Sequence, residues 1–252
     1  MEKLFQMNKN LIIIILAIVL VVSFLFSYLV YTKFMGYYKS YNSLRLSPLG
    51  LSNLKEYSIK GKNNIILWGD SRISHWPEAN INDSLNIINL GIGGETTKQS
   101  LLRMNYLPDS NSSNIILIQL GINDLKTIAL FPSKKQNIIN NCKKHIDRIV
   151  GKARQKNYKV ILSTIIPAGK VSLLRKLLFW NKDIPKAVKE VNNYIRSLAN
   201  KNSIYLLDLY NIVENSNNKY KLYKDELHLN QKGYTLLNSS LKDFLHRINI
   251  GL

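Results

Sequence analysis

The sequence predicts an α/β domain with a five-stranded parallel sheet, preceded by one transmembrane helix. Three observations carry this prediction. From about residue 61, short apolar runs rich in β-branched residues alternate with longer helical stretches. The runs are apolar throughout rather than at every second position, which is typical of strands that helices cover on both faces. Residues 11–31 form an uncharged apolar segment long enough to cross a bilayer.

The N-terminal part of the chain divides into a tail, an anchor and a linker. After a tail of residues 1–10, residues 11–31 contain no charge and no proline, and at 1.5 Å per residue a helix of this length spans about 30 Å. The run is longer than the core of a signal peptide and no small-residue cleavage site follows it, so we predict an uncleaved signal anchor. Residues 32–60, with turn residues at 47–50, are predicted to form a stalk.

The membrane orientation rests on weaker evidence, because lysines stand on both sides of the apolar segment. The usual behaviour of short N-terminal tails favours a single-pass protein with its C-terminal domain on the extracytoplasmic side. That domain is predicted to begin at residue 61 and to include the rest of the chain. Its 192 residues are enough for one sizeable core.

Within this domain, strands and helices are predicted in alternation. The predicted strands are 65–67, 86–90, 115–120, 160–165 and 204–209, each bounded by Gly, Asn, Ser or Pro. The predicted helices are 97–106, 134–156, 185–200 and 231–248. Helix 134–156 has apolar residues along one face, which is the pattern of a helix that packs on a sheet.

Composition excludes several kinds of site. The formal net charge is +19, but the lysines are scattered and no arginine-rich tract or aromatic-interleaved motif is present, so we predict no nucleic-acid partner. The single cysteine, Cys142, rules out an intramolecular disulfide and a cysteine zinc site. No H-E-x-x-H motif or His/Asp cluster with ligand spacing occurs, so neither a metal nor another cofactor is predicted.

Four polar blocks carry the chemistry. The first strand is followed by Gly-Asp-Ser at 69–71, the second by Asn-Leu-Gly-Ile-Gly-Gly-Glu-Thr at 89–96, and the third by Gly-Ile-Asn-Asp at 121–124. A fourth block, residues 225–234, contains an aspartate and a histidine three residues apart and precedes the last helix. Ligands of parallel sheets bind beyond the carboxyl ends of the strands, where the first three blocks lie.

In this order, the four blocks resemble the SGNH, or GDSL-type, hydrolase superfamily. The block at 89–96 is especially similar to its platelet-activating-factor-acetylhydrolase-like branch, and the resemblance extends over about residues 63–248. It implies a flavodoxin-like three-layer sandwich, the SGNH hydrolase fold, for residues 61–252. Two residues depart from the family pattern, Glu95 where Asp is common and Glu226 where Gly is common, and neither is expected to touch the reacting atoms.

The resemblance assigns a role to each polar residue. Ser71 would be the nucleophile, His228 the base that takes its proton, and Asp225 the carboxylate that orients the imidazole. The Ser71 N–H, the Gly94 N–H and the Asn123 side-chain amide would form the oxyanion hole. We therefore expect a membrane-anchored serine esterase that forms an acyl-serine intermediate without a metal. Its partners would be the bilayer and an ester substrate: a small molecule, a lipid or an O-acylated glycan.

Several alternatives stay open at this point. Ser71 can also be read as a helix cap, because serine at a strand-to-helix junction accepts from free backbone N–H groups. His75, four residues later, is an alternative base, although no carboxylate stands near it in the sequence as Asp225 does near His228. The same machinery could transfer an acyl group to a cell-surface glycan, and a catalytically silent glycan-binding domain is a further alternative.

The apolar segment 169–182, Gly-Lys-Val-Ser-Leu-Leu-Arg-Lys-Leu-Leu-Phe-Trp-Asn-Lys, also has two interpretations. It is either a short helix packed on the domain or a lid or membrane-resting patch beside the site.

Overall fold

The computed structural model describes residues 9–46, 59, 63–77, 85–110, 114–202 and 204–249. It divides into two compact units, Met1–Ser52 and Asn53–Leu252. In the first unit, helix α1 runs from Lys9 to Leu46 and is long and apolar enough to cross a membrane. The helix continues past residue 31 into the segment predicted as a stalk. The predicted turn at 47–50 and most of the predicted tail lie outside the described residues.

The second unit alternates strands and helices, as the sequence predicts. Its elements are β1 Asn64–Gly69, α2 Ser71–Ser74, β2 Asn86–Asn89, α3 Thr97–Arg103, β3 Ile115–Gln119, α4 Ile122–Leu125, α5 Lys135–Gln155, β4 Lys159–Ser163, α6 Leu173–Leu178, α7 Asp183–Asn202, β5 Tyr205–Leu207, α8 Leu209–Glu214 and α9 Gln231–Arg247. The strands pair in parallel in the order β2-β1-β3-β4-β5. The predicted fold class, an α/β sandwich with a five-stranded parallel sheet, is confirmed.

The sheet separates two hydrophobic cores because successive strand residues point to opposite faces. On one face, side chains such as Ile66, Ile116 and Leu162 pack with residues of α3, α5 and α7. On the other, Ile65 and Leu117 pack with residues of α8 and α9. Burial on both faces explains why the strands read as continuous apolar runs.

Two strands, β4 and β5, end two residues earlier than predicted for local reasons. β5 ends at Leu207 because the Asp208 side chain accepts from the N–H of Asn211 and so begins α8. β4 ends at Ser163, and the backbone of Ile165 instead exchanges hydrogen bonds of 2.7 and 2.9 Å with the side chain of Asn192 in α7. In both places, a side chain forms hydrogen bonds with backbone polar groups that are not paired within the sheet.

The strand order creates a crevice at the carboxyl edge. β1 lies between β2 and β3, so the chain leaves β1 towards one side of the sheet first and crosses to the other side afterwards. Such a reversal opens a crevice between the loops that follow the strands, where parallel sheets bind ligands. The blocks that follow β1, β2 and β3 all lie there.

Candidate active site

Ser71 lies at the junction between β1 and α2, and its neighbour caps the helix. The side chain of Asp70 accepts from the N–H of Arg72 at 3.0 Å and is the N-cap of α2, which Ser71 begins. The capping interpretation therefore applies to Asp70 rather than to Ser71, whose hydroxyl is left to bond elsewhere. Gly69 makes this turn possible, because a Cβ there would lie 1.9 Å from the carbonyl oxygen of Gln119.

A continuous chain of hydrogen bonds joins Ser71, His228 and Asp225. The Oγ of Ser71 lies 2.9 Å from Nε2 of His228. On the other side of the ring, Nδ1 lies 2.8 Å from Oδ2 and 3.1 Å from Oδ1 of Asp225. The structure thus brings together the three residues predicted as a triad, although Ser71 and His228 are 157 positions apart.

The loop that carries Asp225 and His228 is fixed by its own backbone. Oδ1 of Asp225 accepts from the N–H groups of Leu227 and His228, both at 2.8 Å, and the His228 carbonyl accepts from the N–H of Lys224 at 2.9 Å. Burial alone would raise the pKa of Asp225, but the hydrogen bonds from the His228 ring and the two N–H groups hold that pKa below its ordinary value. Asp225 is therefore ionised at neutral pH, as a carboxylate that stabilises an imidazolium must be.

Gly94 lies in the loop after β2, and Asn123 lies in α4, the short helix that follows β3. Gly94 has a φ of +76°, which side chains rarely adopt, and a Cβ there would meet nothing within 4 Å. Asn123 is 4% exposed, and its Nδ2 donates to the carbonyl of Glu95 at 3.0 Å. An amide nitrogen carries two hydrogens, so one donor of Asn123 remains beyond this bond.

Comparison of the sequence with known protein families identifies the family of this chain. Residues 57–236 match the model of the GDSL-like Lipase/Acylhydrolase family. The chain belongs to this family. A comparison with curated proteins finds no match.

Solved structures with low sequence identity share the fold. A Streptococcus pneumoniae protein whose name refers to platelet activating factor has 20% identity and a TM-score of 0.67, covering 84% of this chain and 98% of its own. A carbohydrate acetylesterase from Sinorhizobium meliloti has 16% identity and a TM-score of 0.60, covering 74% of this chain and 100% of its own. An acetyl xylan esterase has 24% identity and a TM-score of 0.56, covering 71% of this chain and 98% of its own.

In this GDSL-family chain, Arg72 is a residue that sequence reasoning missed. Its side chain is buried, and its guanidinium donates to the carbonyl oxygens of Leu227 at 2.9 Å, Ile166 at 2.5 Å and Pro167 at 3.3 Å. Arg72 therefore ties the segment between Asp225 and His228 to the end of β4. No pattern in the sequence distinguishes this arginine from the other basic residues.

A second missed feature is the buried ion pair between Glu95 and Arg103. The guanidinium donates to both Glu95 oxygens at 2.7 Å and lies 3.6 Å from the centre of the Trp68 ring. Burial raises the pKa of Glu95 to about 7 against the opposing effect of Arg103. Glu95 touches none of the predicted triad residues, but its carbonyl holds Asn123, so the pair supports the predicted oxyanion loop.

His75, the alternative base, lies beside the triad without joining it. Its ring centre is 5.0 Å from that of His228. Among the described residues, no hydrogen bond links its ring to Ser71 or to a carboxylate. Burial and the neighbouring His228 lower the pKa of His75. The geometry therefore favours His228 as the base.

Other polar groups at this edge are structural. Asp124 accepts from the backbone N–H of Thr97 at 2.9 Å and from its hydroxyl at 2.6 Å, which joins α4 to the start of α3. Among the described residues, no cluster of three or more His, Cys, Asp or Glu side chains is suited to a metal ion.

A cavity of about 250 Å³ lies beside the loop that carries Asp225 and His228. Gly169 and Trp180 contribute to its walls, together with Tyr210 and Lys189. Gly169 also abuts the loop, since a Cβ on it would lie 3.1 Å from the carbonyl oxygen of Asp225. The cavity is large enough for a small polar group and adjoins the backbone of Asp225 through Gly169.

Proposed function

We propose that this protein is a serine esterase that cleaves short O-acyl groups through an acyl-serine intermediate. The observation that carries the proposal is the unbroken hydrogen-bond chain from Ser71 through His228 to Asp225, with links of 2.9 and 2.8 Å. Family membership supports the same reaction class. An activated hydroxyl, a base and an orienting carboxylate are the groups that acyl transfer requires.

In the proposed first step, Nε2 of His228 takes the proton of Ser71 while Oγ forms a bond to the ester carbonyl carbon. The negative charge that develops on the carbonyl oxygen is stabilised by the N–H groups of Ser71 and Gly94 and by the free amide hydrogen of Asn123. His228 then gives its proton to the leaving alcohol as the carbon–oxygen bond breaks. Throughout, Asp225 holds Nδ1 protonated and stabilises the imidazolium.

In the second step, water replaces the alcohol. His228 takes a proton from water, the resulting hydroxide attacks the acyl-Ser71 carbonyl, and the proton returns to Ser71 Oγ as the acid leaves. The exposed face of the loop at Asp225 and His228 gives water access to this step.

Covalent labelling tests the nucleophile directly. The full-length chain in detergent should react with a fluorophosphonate probe, and Ser71→Ala should abolish the reaction. Ser74→Ala is the matched control, because Ser74 lies on the same short helix and is exposed. Absence of label on the unmodified chain, or equal labelling of Ser71→Ala, would contradict the proposal.

For the substrate, we propose an acetyl or similarly short acyl group on a carbohydrate. Two structures with the same fold are a carbohydrate acetylesterase and an acetyl xylan esterase by name, and the cavity that adjoins the Asp225 backbone through Gly169 has aromatic walls at Trp180 and Tyr210 that suit a sugar ring. Hydrolysis should be faster for an acetylated glycan, which releases acetate, than for a long-chain acyl ester, which releases a fatty acid. If long-chain esters are preferred, the carbohydrate assignment is wrong while the esterase assignment stands.

We also propose that residues 11–31 anchor the protein in a membrane, with 1–10 as a short tail, 32–60 as a linker and 61–252 as the hydrolase domain outside the cytoplasm. The apolar length of α1 supports this arrangement. In intact cells, a membrane-impermeant fluorophosphonate should label the chain. Labelling only after lysis would place the domain on the cytoplasmic side.

A further inference from the structure

The carboxyl edge of the sheet carries an exposed apolar surface that the esterase proposal does not use. We call it the apolar rim. Its members are large apolar side chains between 49 and 75% exposed, namely Leu130, Phe131, Leu173, Leu174, Leu177 and Phe179. Exposed apolar side chains are common singly, but a group of this size on two neighbouring segments points to an interaction surface.

The two segments of the rim are held next to each other. Leu130 and Phe131 precede α5, while α6 and Phe179 precede α7. An ion pair of 3.0 Å between Lys135 and Asp183 joins the beginnings of α5 and α7. The ion pair therefore holds the ends of the two segments, which follow β3 and β4, close together at the carboxyl edge of the sheet.

The rim is also attached to the loop that carries the predicted triad. Arg175 of α6 forms an ion pair of 2.6 Å with Glu226, which lies between Asp225 and His228. The N–H of Gly169 donates to the Glu226 carbonyl at 3.0 Å. Glu226, one of the two departures from the family pattern, thus links α6 to the proposed active site. Whatever binds the rim lies beside the mouth of that site.

Exposed lysines border the rim. Lys134, Lys170, Lys176 and Lys182 are exposed at its border. The nearby carboxylates of Glu226 and Asp183 are paired with Arg175 and Lys135, so the four lysines are not neutralised by them. Apolar side chains bordered by lysines match the interface of a bilayer with anionic headgroups, where the side chains enter the acyl boundary and the ammonium groups meet phosphate.

We infer that the apolar rim docks on an anionic phospholipid surface and sets the proposed active site against it. If α1 crosses a bilayer, the covalent connection brings this unit to the same surface, so even a weak contact is populated. This inference goes beyond the esterase proposal and does not depend on Ser71 being a nucleophile. If the same segment were packed on the domain, Leu173, Leu174 and Leu177 would be buried, whereas they are 68–75% exposed.

Depth-dependent quenching in lipid nanodiscs tests the inference with the full-length chain. A solvatochromic fluorophore is attached at Leu174→Cys and, as the matched control, at Tyr106→Cys, which is similarly exposed and lies after α3 at the opposite edge of the sheet. The native thiol Cys142 is buried and shielded from the reagent. Nanodiscs are made with equal parts of phosphatidylcholine and phosphatidylglycerol, or with phosphatidylcholine alone, each with spin-labelled acyl chains.

The expected result is quenching and a blue shift at position 174 in anionic nanodiscs, with neither change at position 106. No quenching at 174, or equal quenching at both positions, would overturn the inference. Equal quenching at 174 in phosphatidylcholine alone would overturn the assignment to anionic lipid.

Two triple charge-reversal variants test whether the lysines beside the rim contribute to the lipid contact. The triple variant Lys170→Glu, Lys176→Glu and Lys182→Glu should reduce quenching at position 174 to the level of the position-106 control, since each cation at an anionic surface contributes about a fivefold gain in binding. The matched control reverses three exposed lysines outside the segments of the rim and changes net charge equally, namely Lys144, Lys159 and Lys242. This control should quench like the unmodified chain; if both triple variants lose quenching, overall charge and not the rim drives the contact.

Fluorophosphonate labelling of the same samples separates the two proposals. None of the reversed lysines belongs to the proposed catalytic machinery, so both triple variants should label like the unmodified chain. If no sample labels while position 174 is quenched, the esterase proposal fails and the lipid surface stands. If labelling is normal and quenching is absent, the reverse holds.

Discussion

Replacement of Arg72 by lysine tests whether the arginine positions the loop that carries His228. The guanidinium supplies three hydrogen bonds to the Leu227, Ile166 and Pro167 carbonyls in a fully buried position. A lysine keeps the positive charge but has one nitrogen on a flexible stem, so it cannot reproduce the fork that reaches all three oxygens.

The expected magnitude follows from these contacts. A hydrogen bond to a charged group contributes about 1.5–3 kcal/mol. If lysine retains one of the three bonds, two are lost, and the longest of the three, at 3.3 Å to Pro167, is the weakest. We therefore expect the free energy of unfolding to fall by about 3 kcal/mol, at the low end of the range for two such bonds. A domain of typical stability remains folded after this loss.

The esterase activity of Arg72→Lys should fall by more than its loss of stability explains. A shift of about 1 Å in the imidazole relative to Ser71 costs about 100-fold in rate, so kcat should drop while KM, which the loop does not set directly, changes little. Urea unfolding measures the free energy of unfolding, and ester hydrolysis under conditions where the variant is fully folded measures kcat and KM. Arg148→Lys is the control, because Arg148 is exposed on α5 and its replacement should change stability by less than about 0.5 kcal/mol. Arg72→Lys with unfolding and kcat like those of the control would refute the positioning role.

Three further substitutions test other contacts. Glu95→Gln leaves the buried Arg103 without its carboxylate and should lower the free energy of unfolding by about 3 kcal/mol; an unchanged urea midpoint would contradict this. Burial raises the pKa of Asp124 from 3.8 to about 6, so the folded state retains a proton that the unfolded chain releases. Its contribution to stability is complete below about pH 4 and falls by about 3 kcal/mol as the pH rises through 6, a loss that Asp124→Asn should remove from the pH profile of unfolding. Gly69→Ala forces a Cβ against a carbonyl oxygen of β3 and should lower the free energy of unfolding by about 3 kcal/mol or more. Its control is Gly151→Ala, where the added Cβ has open space in α5, and this variant should have a raised melting temperature. Equal melting temperatures for the two variants would be inconsistent with this packing.

The architecture could be predicted because burial of both faces of the sheet determines which residues its strands contain. A strand such as β3, Ile115–Gln119, must be apolar at every position when helices cover both sides of the sheet. Parallel pairing then brings the residues after β1, β2 and β3 to one edge, wherever they lie in the chain. The proximity of Ser71, Gly94 and Asn123 follows from topology alone, while their roles stay predictions until the labelling experiment is done.

The supporting contacts could not be predicted, since they depend on which charges are buried. Arg72 and Arg103 are two of 35 basic residues, and only packing shows that both are buried against specific carbonyls or carboxylates. Likewise, Asp70 and Ser71 are equally good helix caps by residue type, and the position where β1 leaves the sheet selects Asp70. The α6 segment has the composition of a packed helix and of an interfacial one, so its exposure had to come from the structure.

The long sequence separation between Ser71 and His228 has a consequence for biosynthesis. Because the two partners of one hydrogen bond are 157 positions apart, Ser71 cannot form its bond to the His228 ring until nearly the entire polypeptide has left the ribosome. Non-local contacts of this kind also form late in folding, since the intervening chain must first be ordered. A nascent chain in which only α1 and β1 have been synthesised would therefore not show the proposed esterase reaction at Ser71. Under the esterase proposal, the reactivity of Ser71 would therefore appear only once the C-terminal segment has been synthesised and folded.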